Sequence, residues 1–502
     1  MNVVSVCAAA GIIGVGVCSA LGDPAETVLP FEEHAALASL PERLEEAMDT
    51  FHGSGVAAVV IDGGKVYGWF GGHRDPVERL PADADTMFYI ASVTKTYTAA
   101  CVNALADDGV IDLDRGIESY LPRFEPATNE HEGPIPVRKL LTHEAGISVP
   151  GLGILDAYTG DITEDRFYTL LSTFGEAVPG PSYDNENLTT AGRVIDAATG
   201  ESWKGVMDRR LFDRVGMTRT TAYASEAFAD GNVAVPAYWD DERRRHGYAP
   251  RKFDEVMHAA GGIMTSGRDA ARWMLFSMGD GTWEGNRVLS ERHARDAVTL
   301  QAKLRSPVTD GPFEVNGYGH AWEIGEHGGQ RIAFHSGGYM GGFAAFFILF
   351  PESGKGLAVM GSGMELAAGV PALAMEACVE ALSGVPVAQS DYERGVQMVE
   401  QGGLADTRYR PRSPRIRELR CAPDCFGVFE HELWGTITVK PERGRVSVSF
   451  GKLPLQTSVD QGDLRVEGPV GRGAHLRYDA EEDAYFSQFA PGEPEAFRRV
   501  GG

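Results

Sequence analysis

Apolar and polar positions in the first 388 residues follow two periods, one typical of helices and one of strands. Apolar residues three and four positions apart predict helices over 34–52, 92–108, 186–198, 202–215, 268–278 and 364–382. Short apolar runs bounded by turn residues predict strands over 56–61, 65–70, 331–335, 343–350 and 356–360. Strands therefore lie near both ends of this region. The pattern predicts an α/β fold of the α+β type, with one antiparallel sheet built from both ends, flanked by helices, and a mostly helical insertion.

The pattern changes after residue 388. Residues 389–420 are polar, and six arginines fall between Arg408 and Arg420, which is typical of a linker. Short alternating segments follow over 435–440, 445–450, 464–466, 475–478 and 485–489. The predicted order is a first domain at 30–388, a linker at 389–420 and a small antiparallel β domain at 421–502, for which a barrel is one form of closure.

The N-terminal segment 1–22 contains an apolar run over residues 3–21. An export signal combines a basic start, an apolar middle and small residues before the cleavage point. The middle is present, and Cys18 and Ala20 are small, although the first basic residue is Arg43. We interpret 1–22 as a cleaved export signal, which predicts a periplasmic or extracellular protein. An uncleaved anchor is the alternative, and membrane contact is expected only in that case.

Composition narrows the class of function. The chain has 502 residues, of which 43% are hydrophobic, and this share excludes intrinsic disorder. Its formal charge of −25 argues against nucleic acid as a partner, because phosphates would be repelled. No CxxC or HExxH motif occurs, so neither a metal nor a cofactor is predicted. Cys421 and Cys425 lie four positions apart, which fits a local disulfide or half of a metal site.

The first motif with catalytic chemistry is Ser92-Val93-Thr94-Lys95, at the start of a predicted helix. Three residues is almost one helical turn, so the Ser92 hydroxyl and the Lys95 amine can meet on one face. A serine hydroxyl is a weak nucleophile until a base removes its proton. A lysine can act as that base if burial or a neighbouring cation lowers its pKa. Alone, the motif fits an ordinary helix cap beside a solvated lysine.

Two further motifs follow in the chain. Tyr183-Asp184-Asn185 precedes a predicted helix, and in an extended loop Tyr183 and Asn185 point to the same side. His335-Ser336-Gly337-Gly338 ends a predicted strand, and its glycines allow close approach of the backbone to a ligand. Each alone fits a capped helix or a strand-ending turn.

Together, S-x-x-K, Y-x-N and H-x-G in this order resemble the family of serine β-lactamases, D,D-peptidases and related esterases, and are most similar to its class C-like branch of penicillin-recognising hydrolases. The segment Leu140–Gly146, L-L-T-H-E-A-G, is also similar to a stretch of that family. The resemblance covers about residues 37–384. His335 stands where relatives carry the lysine of K-T-G, which is typical of the D,D-peptidase, D-aminopeptidase and esterase subgroup. The C-terminal β domain loosely resembles the lipocalin-like appendages of some members.

The resemblance implies a role for each motif residue. Ser92 is the expected nucleophile, which forms an acyl-enzyme, and Lys95 and Tyr183 move its proton. Tyr183 is expected to act as a phenolate, with its pKa lowered by positive charge on Lys95 and His335, or through Lys95. Asn185 is expected to bind substrate and orient Lys95, and His335 to orient Tyr183.

The resemblance also implies a binding role for Ser336, Gly337 and Gly338. The backbone N–H groups of Ser92 and Gly338 are the expected oxyanion hole. Many relatives carry Ser or Thr at the place of Gly338, where the hydroxyl contacts a substrate carboxylate. Glycine predicts weaker carboxylate recognition, although Ser336 is close.

The predicted function is hydrolysis of an ester or amide in a small molecule or peptide, in the manner of an esterase, D-aminopeptidase or D,D-peptidase. An acyltransferase or a β-lactamase of the same fold is one alternative. A catalytically silent protein that binds peptidoglycan or a partner is another. Oligomeric state and natural substrate stay open.

Overall fold

The computed structural model describes residues 23, 25–128, 133–149, 151–240, 243–339, 342–363, 369–387, 390–400, 413–467, 473–487 and 495–500. The predicted export signal at 1–22 lies outside these residues.

The strands before the C-terminal domain are, in chain order, β1 (Val28–Pro30), β2 (Gly55–Asp62), β3 (Lys65–Asp75), β4 (Leu80–Pro81), β5 (Met87–Tyr89), β6 (Ile147–Ser148), β7 (Glu176–Ala177), β8 (Thr220–Thr221), β9 (Ala237–Asp240), β10 (Arg245–Tyr248), β11 (Met264–Ser266), β12 (Thr282–Trp283), β13 (Asn286–Arg287), β14 (Ala302–Asp310), β15 (Phe313–Tyr318), β16 (Glu323–His327), β17 (Gln330–Tyr339), β18 (Phe343–Phe350) and β19 (Lys355–Ser362). The α-helices are α1 (Leu40–Phe51), α2 (Thr94–Asp107), α3 (Arg138–Leu141), α4 (Leu152–Ile154), α5 (Glu164–Phe174), α6 (Asn185–Thr199), α7 (Trp203–Met207), α8 (Asp213–Val215), α9 (Ala224–Asp230), α10 (Gly267–Met278), α11 (Glu291–Ala297), α12 (Val370–Ser383) and α13 (Asp391–Glu400).

One large sheet organises the first domain, with the strand order β1-β3-β2-β19-β18-β17-β16-β15-β14 and β4 paired to β3. The N-terminal hairpin β2–β3 joins the later strands through β19, where Ala358 pairs with Val59. These pairs are antiparallel, and the three-residue strand β1 pairs with β3 in parallel. The predicted sheet built from both ends is therefore confirmed, and so is the mixed fold with a helical insertion between β3 and β14.

The sheet has a hydrophobic core on each face. One face packs against α1 and α12, with Leu44, Val60 and Leu373 among the buried residues. The other face packs against α2 and α10, with Val59 and Trp273 among them. Strand β18 is nearly all apolar because both of its faces are covered.

Predicted and observed elements differ at several points. Helix α1 begins at Leu40 rather than residue 34, because Pro41 lacks an N–H and favours the first turn. The helix predicted over 202–215 is α7 and α8 joined by a π turn. Strand β17 does not end at His335 but continues to Tyr339, with Gly338 paired to Ala344 in β18. Within the predicted linker, residues 391–400 form helix α13.

Within the described residues, the C-terminal domain is a barrel-like antiparallel sheet of nine strands. They are β20 (Gly427–His431), β21 (Gly435–Glu442), β22 (Arg445–Phe450), β23 (Leu453–Leu455), β24 (Thr457–Asp460), β25 (Asp463–Val466), β26 (His475–Asp479), β27 (Ala484–Ser487) and β28 (Glu495–Arg499). Cys421 and Cys425 form a disulfide just before β20, so the metal alternative for this pair is excluded. Cys101 and Cys378 are buried thiols.

Among the helices of the described ranges, none combines the length and apolar character that a membrane crossing needs.

Candidate active site

Ser92 lies where the chain turns from β5 into α2. A 3₁₀ turn over Ala91–Val93 leads directly into the helix. Ala91 has φ of +47°, a left-handed conformation that costs a residue with a side chain of the order of 1–3 kcal/mol. This sharp turn places the Ser92 hydroxyl at the helix N-terminus, as the S-x-x-K pattern predicts.

Lys95 is held by three hydrogen bonds in the interior of the protein. Its Nζ donates to Ser92 Oγ at 3.0 Å, to Asn185 Oδ1 at 2.7 Å and to the Ala260 carbonyl at 2.8 Å. The side chain is fully buried because nearly every face of α2 is covered. Burial lowers the pKa of Lys95 to about 7, although the carboxyl groups of Asp184 and Glu323 act in the opposite direction. The neutral amine is therefore accessible near neutral pH, as a base for Ser92 requires.

Tyr183 and Asn185 come from the loop before α6. Asp184 caps that helix, since its Oδ1 accepts from the Glu186 N–H at 2.6 Å. The Tyr183 hydroxyl is hydrogen-bonded to that of Ser92, and Lys95 Nζ lies 4.9 Å from the centre of the Tyr183 ring. The two side chains thus converge on the serine–lysine pair, an arrangement that the resemblance to the family implies.

The protonation of Tyr183 differs from the expectation. The residue as a whole is 41% exposed, but its hydroxyl faces Ser92 inside the site. Burial of that group raises the pKa of Tyr183 well above its usual value, and the hydrogen bond from Ser92 lowers it by less. The expectation that positive charge lowers this pKa is therefore wrong, and the structure favours a neutral phenol.

His335 is buried and neutral. Its ring centre lies 5.8 Å from that of Tyr183, and its Nδ1 donates to the Ser336 carbonyl at 2.6 Å. Nε2 has no hydrogen-bond partner among the described residues. Burial, and then the charge of Lys95, lower the pKa of His335 to about 3. The expectation that His335 supplies positive charge is therefore wrong; it presents an unprotonated nitrogen.

Strand β17 passes directly beside the Ser92 backbone. A Cβ at Gly337 would lie 2.2 Å from the Ile90 carbonyl oxygen and 3.2 Å from the Ser92 nitrogen, so only glycine allows this approach. A Cβ at Gly338 would meet no atom within 4 Å. Because side chains alternate along a strand, Ser336 and Gly338 lie on one face and His335 and Gly337 on the other. The predicted oxyanion donors, the N–H groups of Ser92 and Gly338, thus belong to adjacent backbone segments.

We expect Gly338→Pro to lower kcat by about 10²- to 10³-fold, because proline removes the N–H that the oxyanion would need. Gly338→Ala keeps the N–H, and its Cβ enters open space, so its loss should be far smaller. Steady-state kinetics of both variants check this, with circular dichroism as a test of folding. Equal losses in two folded variants would remove Gly338 from the oxyanion hole.

Several residues near the site carry no signal in the sequence motifs. Ala260 belongs to none of the three motifs, yet its carbonyl accepts a hydrogen bond from Lys95 Nζ. His143 has no predicted role, but its ring stacks on that of Tyr183 at 5.0 Å between centres, and its carbonyl accepts from the Ser182 N–H. Only the similarity of the segment 140–146 to the family pointed to this part of the chain.

A second buried lysine, Lys252, lies beside the site, 4% exposed, and burial lowers its pKa to about 7. Its Nζ lies over the rings of Tyr89, Tyr158 and Tyr339, at 5.0, 5.1 and 4.2 Å from their centres. Four distant stretches of the chain contribute these side chains, so no local pattern could reveal the cluster.

Within the described residues, no group of three or more His, Cys, Asp or Glu side chains has an arrangement that could hold a metal ion.

Comparison with known proteins identifies the family. The family model described as Beta-lactamase matches residues 41–377, about two thirds of the chain, and the chain belongs to this family. The resemblance drawn from the three motifs is thus confirmed. The family is one of serine hydrolases.

Individual relatives share a low sequence identity with this chain. Penicillin-binding protein 4 of Amycolatopsis lactamdurans is 26% identical over 350 residues, which are 67% of this chain and 86% of that protein. Protein flp of Staphylococcus aureus is 23% identical over 63% of this chain, and the match spans 61% of its length. Unguisins hydrolase ungD' of Aspergillus campestris is 25% identical over 62% of this chain and 59% of its own.

Solved structures share the fold. The octameric penicillin-binding protein homologue from Pyrococcus abyssi superimposes with a TM-score of 0.58 at 21% identity, over 90% of this chain and 98% of that one. A beta-lactamase/D-alanine carboxypeptidase from Pseudomonas syringae gives a TM-score of 0.53 at 18% identity, over 70% and 99%.

Proposed function

We propose that this protein is a serine hydrolase that forms an acyl-enzyme on Ser92 and cleaves an ester or amide bond. The observation that carries the proposal is the buried Lys95 amine, 3.0 Å from Ser92 Oγ and with a pKa of about 7. Tyr183 contacts the same hydroxyl, so a base and a proton relay flank one nucleophile.

In acylation, Lys95 Nζ takes the Ser92 proton, directly or through the neutral Tyr183 hydroxyl, and Oγ attacks the substrate carbonyl carbon. The carbonyl π electrons move to oxygen, and the N–H groups of Ser92 and Gly338 stabilise the oxyanion. When the tetrahedral intermediate collapses, the bond to the leaving group breaks. That group receives the proton from Lys95 through Tyr183.

In deacylation the same groups act on water. A water molecule attacks the acyl carbonyl and gives its proton to the relay of Tyr183 and Lys95. Ser92 Oγ then leaves and takes the proton back, which restores the free enzyme. In this proposal the neutral His335 ring, whose centre lies 5.8 Å from that of Tyr183, orients the tyrosine by packing beside it.

The substrate class in this proposal is an ester or amide with no carboxylate at the position read by residue 338. Gly338 offers no hydroxyl, and the space beside it is open. The relative named Unguisins hydrolase supports hydrolysis as the type of reaction. His335 in place of lysine further favours esterase, D-aminopeptidase or D,D-peptidase chemistry over a plain β-lactamase.

The experiment that tests the proposal starts with covalent labelling. A fluorophosphonate should modify the wild-type protein once, and mass spectrometry should place the adduct on Ser92. A panel of short-chain esters, a chromogenic cephalosporin and D-alanyl peptides then ranks the substrates. Matched free-acid and methyl-ester donors test carboxylate recognition. A strong preference for the acid would contradict the proposed class of substrates without a carboxylate at this position. A folded protein that takes no label and turns over no substrate would be a silent binder instead.

A further inference from the structure

The C-terminal domain makes close backbone contacts with one short loop of the first domain. The Lys452 N–H, after β22, donates to the Thr159 carbonyl at 2.9 Å, and the Thr436 N–H, in β21, donates to Asp161 Oδ2 at 2.8 Å. The backbone of Gly451 is so close that a Cβ there would lie 2.6 Å from the Thr159 oxygen. We call this contact of residues 435–436 and 451–452 with 159–161 the clasp.

Aromatic packing and a hydrogen bond from an arginine side chain reinforce the clasp. The Trp434 ring stacks on Phe174 at 5.8 Å between centres and touches Gly151. Arg166 Nε donates to the Glu432 carbonyl at 3.0 Å. Trp434 is buried, so the two domains share a continuous core here.

The clasped loop leads straight into the active site. Residues Leu155–Thr159 form a π turn, and the short helix α4 precedes it. A Cβ at Gly153 would lie 3.6 Å from Asn185 Nδ2, the residue that holds Lys95. Two residues before the clasped loop, the carbonyl of Ala157 accepts a hydrogen bond from Lys252 Nζ.

Tyr158 forms a stacked pair with Tyr339, with ring centres 5.0 Å apart and planes 12° from parallel. Tyr339 directly follows Gly338, the predicted oxyanion donor, and its ring lies 5.3 Å from that of Tyr89. We call Tyr158 and Tyr339 the tyrosine pair. Lys252 lies against both rings and fixes their common position.

We propose that the C-terminal domain contributes to substrate specificity at the active site. Through the clasp it positions Tyr158, and the tyrosine pair limits the size of the substituent on the substrate carbonyl. The inference rests on the proposed function, since it concerns the acyl group carried by Ser92. The carbonyl oxygen faces Gly338, so the next side chain along β17, Tyr339, is close to the rest of the acyl group. Tyr158 acts on specificity, while the clasp residues act only by positioning it.

The test uses two glycines of the C-terminal domain as a matched pair. Gly451 and Gly444 both have positive φ, +53° and +79°, so alanine strains the backbone at either. Only at Gly451 does the new Cβ meet the clasped loop, because nothing lies within 4 Å at Gly444. Gly451→Ala should therefore loosen the clasp, and Gly444→Ala serves as its control.

The first measurement does not need activity. Hydrogen exchange followed by mass spectrometry should show faster exchange of residues 155–161 in Gly451→Ala than in the wild type or in Gly444→Ala. Unchanged exchange in a folded Gly451→Ala protein would overturn the positioning role of the clasp, whatever the substrate.

The second measurement compares nitrophenyl acetate with nitrophenyl octanoate. Tyr158→Ala should raise the octanoate-to-acetate ratio of kcat/KM by about 10-fold, at the low end of what small changes in an apolar pocket produce. Gly451→Ala should shift the ratio in the same direction, Gly444→Ala should not, and the double variant should not exceed Tyr158→Ala, because both changes act through one residue.

The outcomes separate the two proposals. An unchanged ratio in Tyr158→Ala overturns the specificity role while hydrolysis itself stands. An equal shift in Gly444→Ala overturns the effect of the clasp on the ratio. Absence of hydrolysis and of fluorophosphonate labelling in the wild type overturns the proposed function and the specificity role with it. The exchange data still decide whether the clasp orders the loop.

Discussion

Ser92→Ala should abolish covalent labelling and lower kcat for ester hydrolysis by about 10⁴- to 10⁶-fold, since loss of a serine nucleophile removes the whole acyl-enzyme route. Lys95 and Tyr183 would then face a methyl group, and water would have to attack the substrate unaided by a covalent intermediate. The residual rate should come from the oxyanion hole and substrate binding alone. Initial rates with a nitrophenyl ester and fluorophosphonate labelling measure both effects.

The control for this variant is its fold. Ser92 lies in the 3₁₀ turn before α2, and no side chain caps that helix, so Ser92→Ala should unfold at nearly the same temperature as the wild type. Ser353→Ala removes a hydroxyl in the turn after β18, far from the site, and should leave kcat and labelling unchanged. Labelling that persists in Ser92→Ala would move the nucleophile to another residue.

The fold could be predicted from the sequence because its strongest signals are periodic. The central strand β18 is one unbroken apolar run, and α2, α6 and α10 repeat apolar residues at helical spacing. The pairing of the N-terminal hairpin with the later strands follows from the presence of strands at both ends of the region. The extension of β17 through Gly337 and Gly338 could not be predicted, because glycine is a poor strand former and the reason for it, contact with Ile90, lies far away in sequence.

Only part of the candidate site could likewise be predicted from the sequence. Ser92 and Lys95 share a helical face by their spacing, whereas their meeting with Tyr183 and Asn185 came from the resemblance to a family. The protonation states of the site residues could be predicted neither from residue spacing nor from the resemblance. The shifts at Lys95, Tyr183 and His335 all begin with burial, which depends on what packs around each group. Of these three groups only Lys95 changes its charge near pH 7, and Tyr183 and His335 are both neutral there.

The cluster of Lys252 and three tyrosines could not be predicted from the sequence at all. Its members lie at positions 89, 158, 252 and 339, and none is part of a motif. The clasp depends on two turns of a separate domain. Contacts between elements so distant in sequence leave no periodicity behind, and only the folded chain brings them together.

Lys95→Met should lower kcat/KM by about 10²- to 10⁴-fold, the usual contribution of a positioned general base. It should also change the pH profile. Because the Lys95 pKa is about 7, the wild-type rate should rise with pH through that value as the amine becomes neutral. Lys95→Met should lose this rise. Lys95→Arg keeps a cation that cannot lose its proton, so it should be as inactive as Lys95→Met if the amine acts as base.

Two variants assign the titration. Lys204 is another buried lysine with a lowered pKa, but it donates to the Asp254 carbonyl, so Lys204→Met should keep the rise near pH 7. The Asp184→Asn variant is the stricter test, because burial raises the pKa of the Asp184 carboxyl to about 7 as well. Its negative charge also raises the Lys95 pKa. Asp184→Asn should therefore move the rise to lower pH if Lys95 is the base, whereas a rise that disappears in Asp184→Asn and survives in Lys95→Met would assign it to the carboxyl group and refute the lysine mechanism.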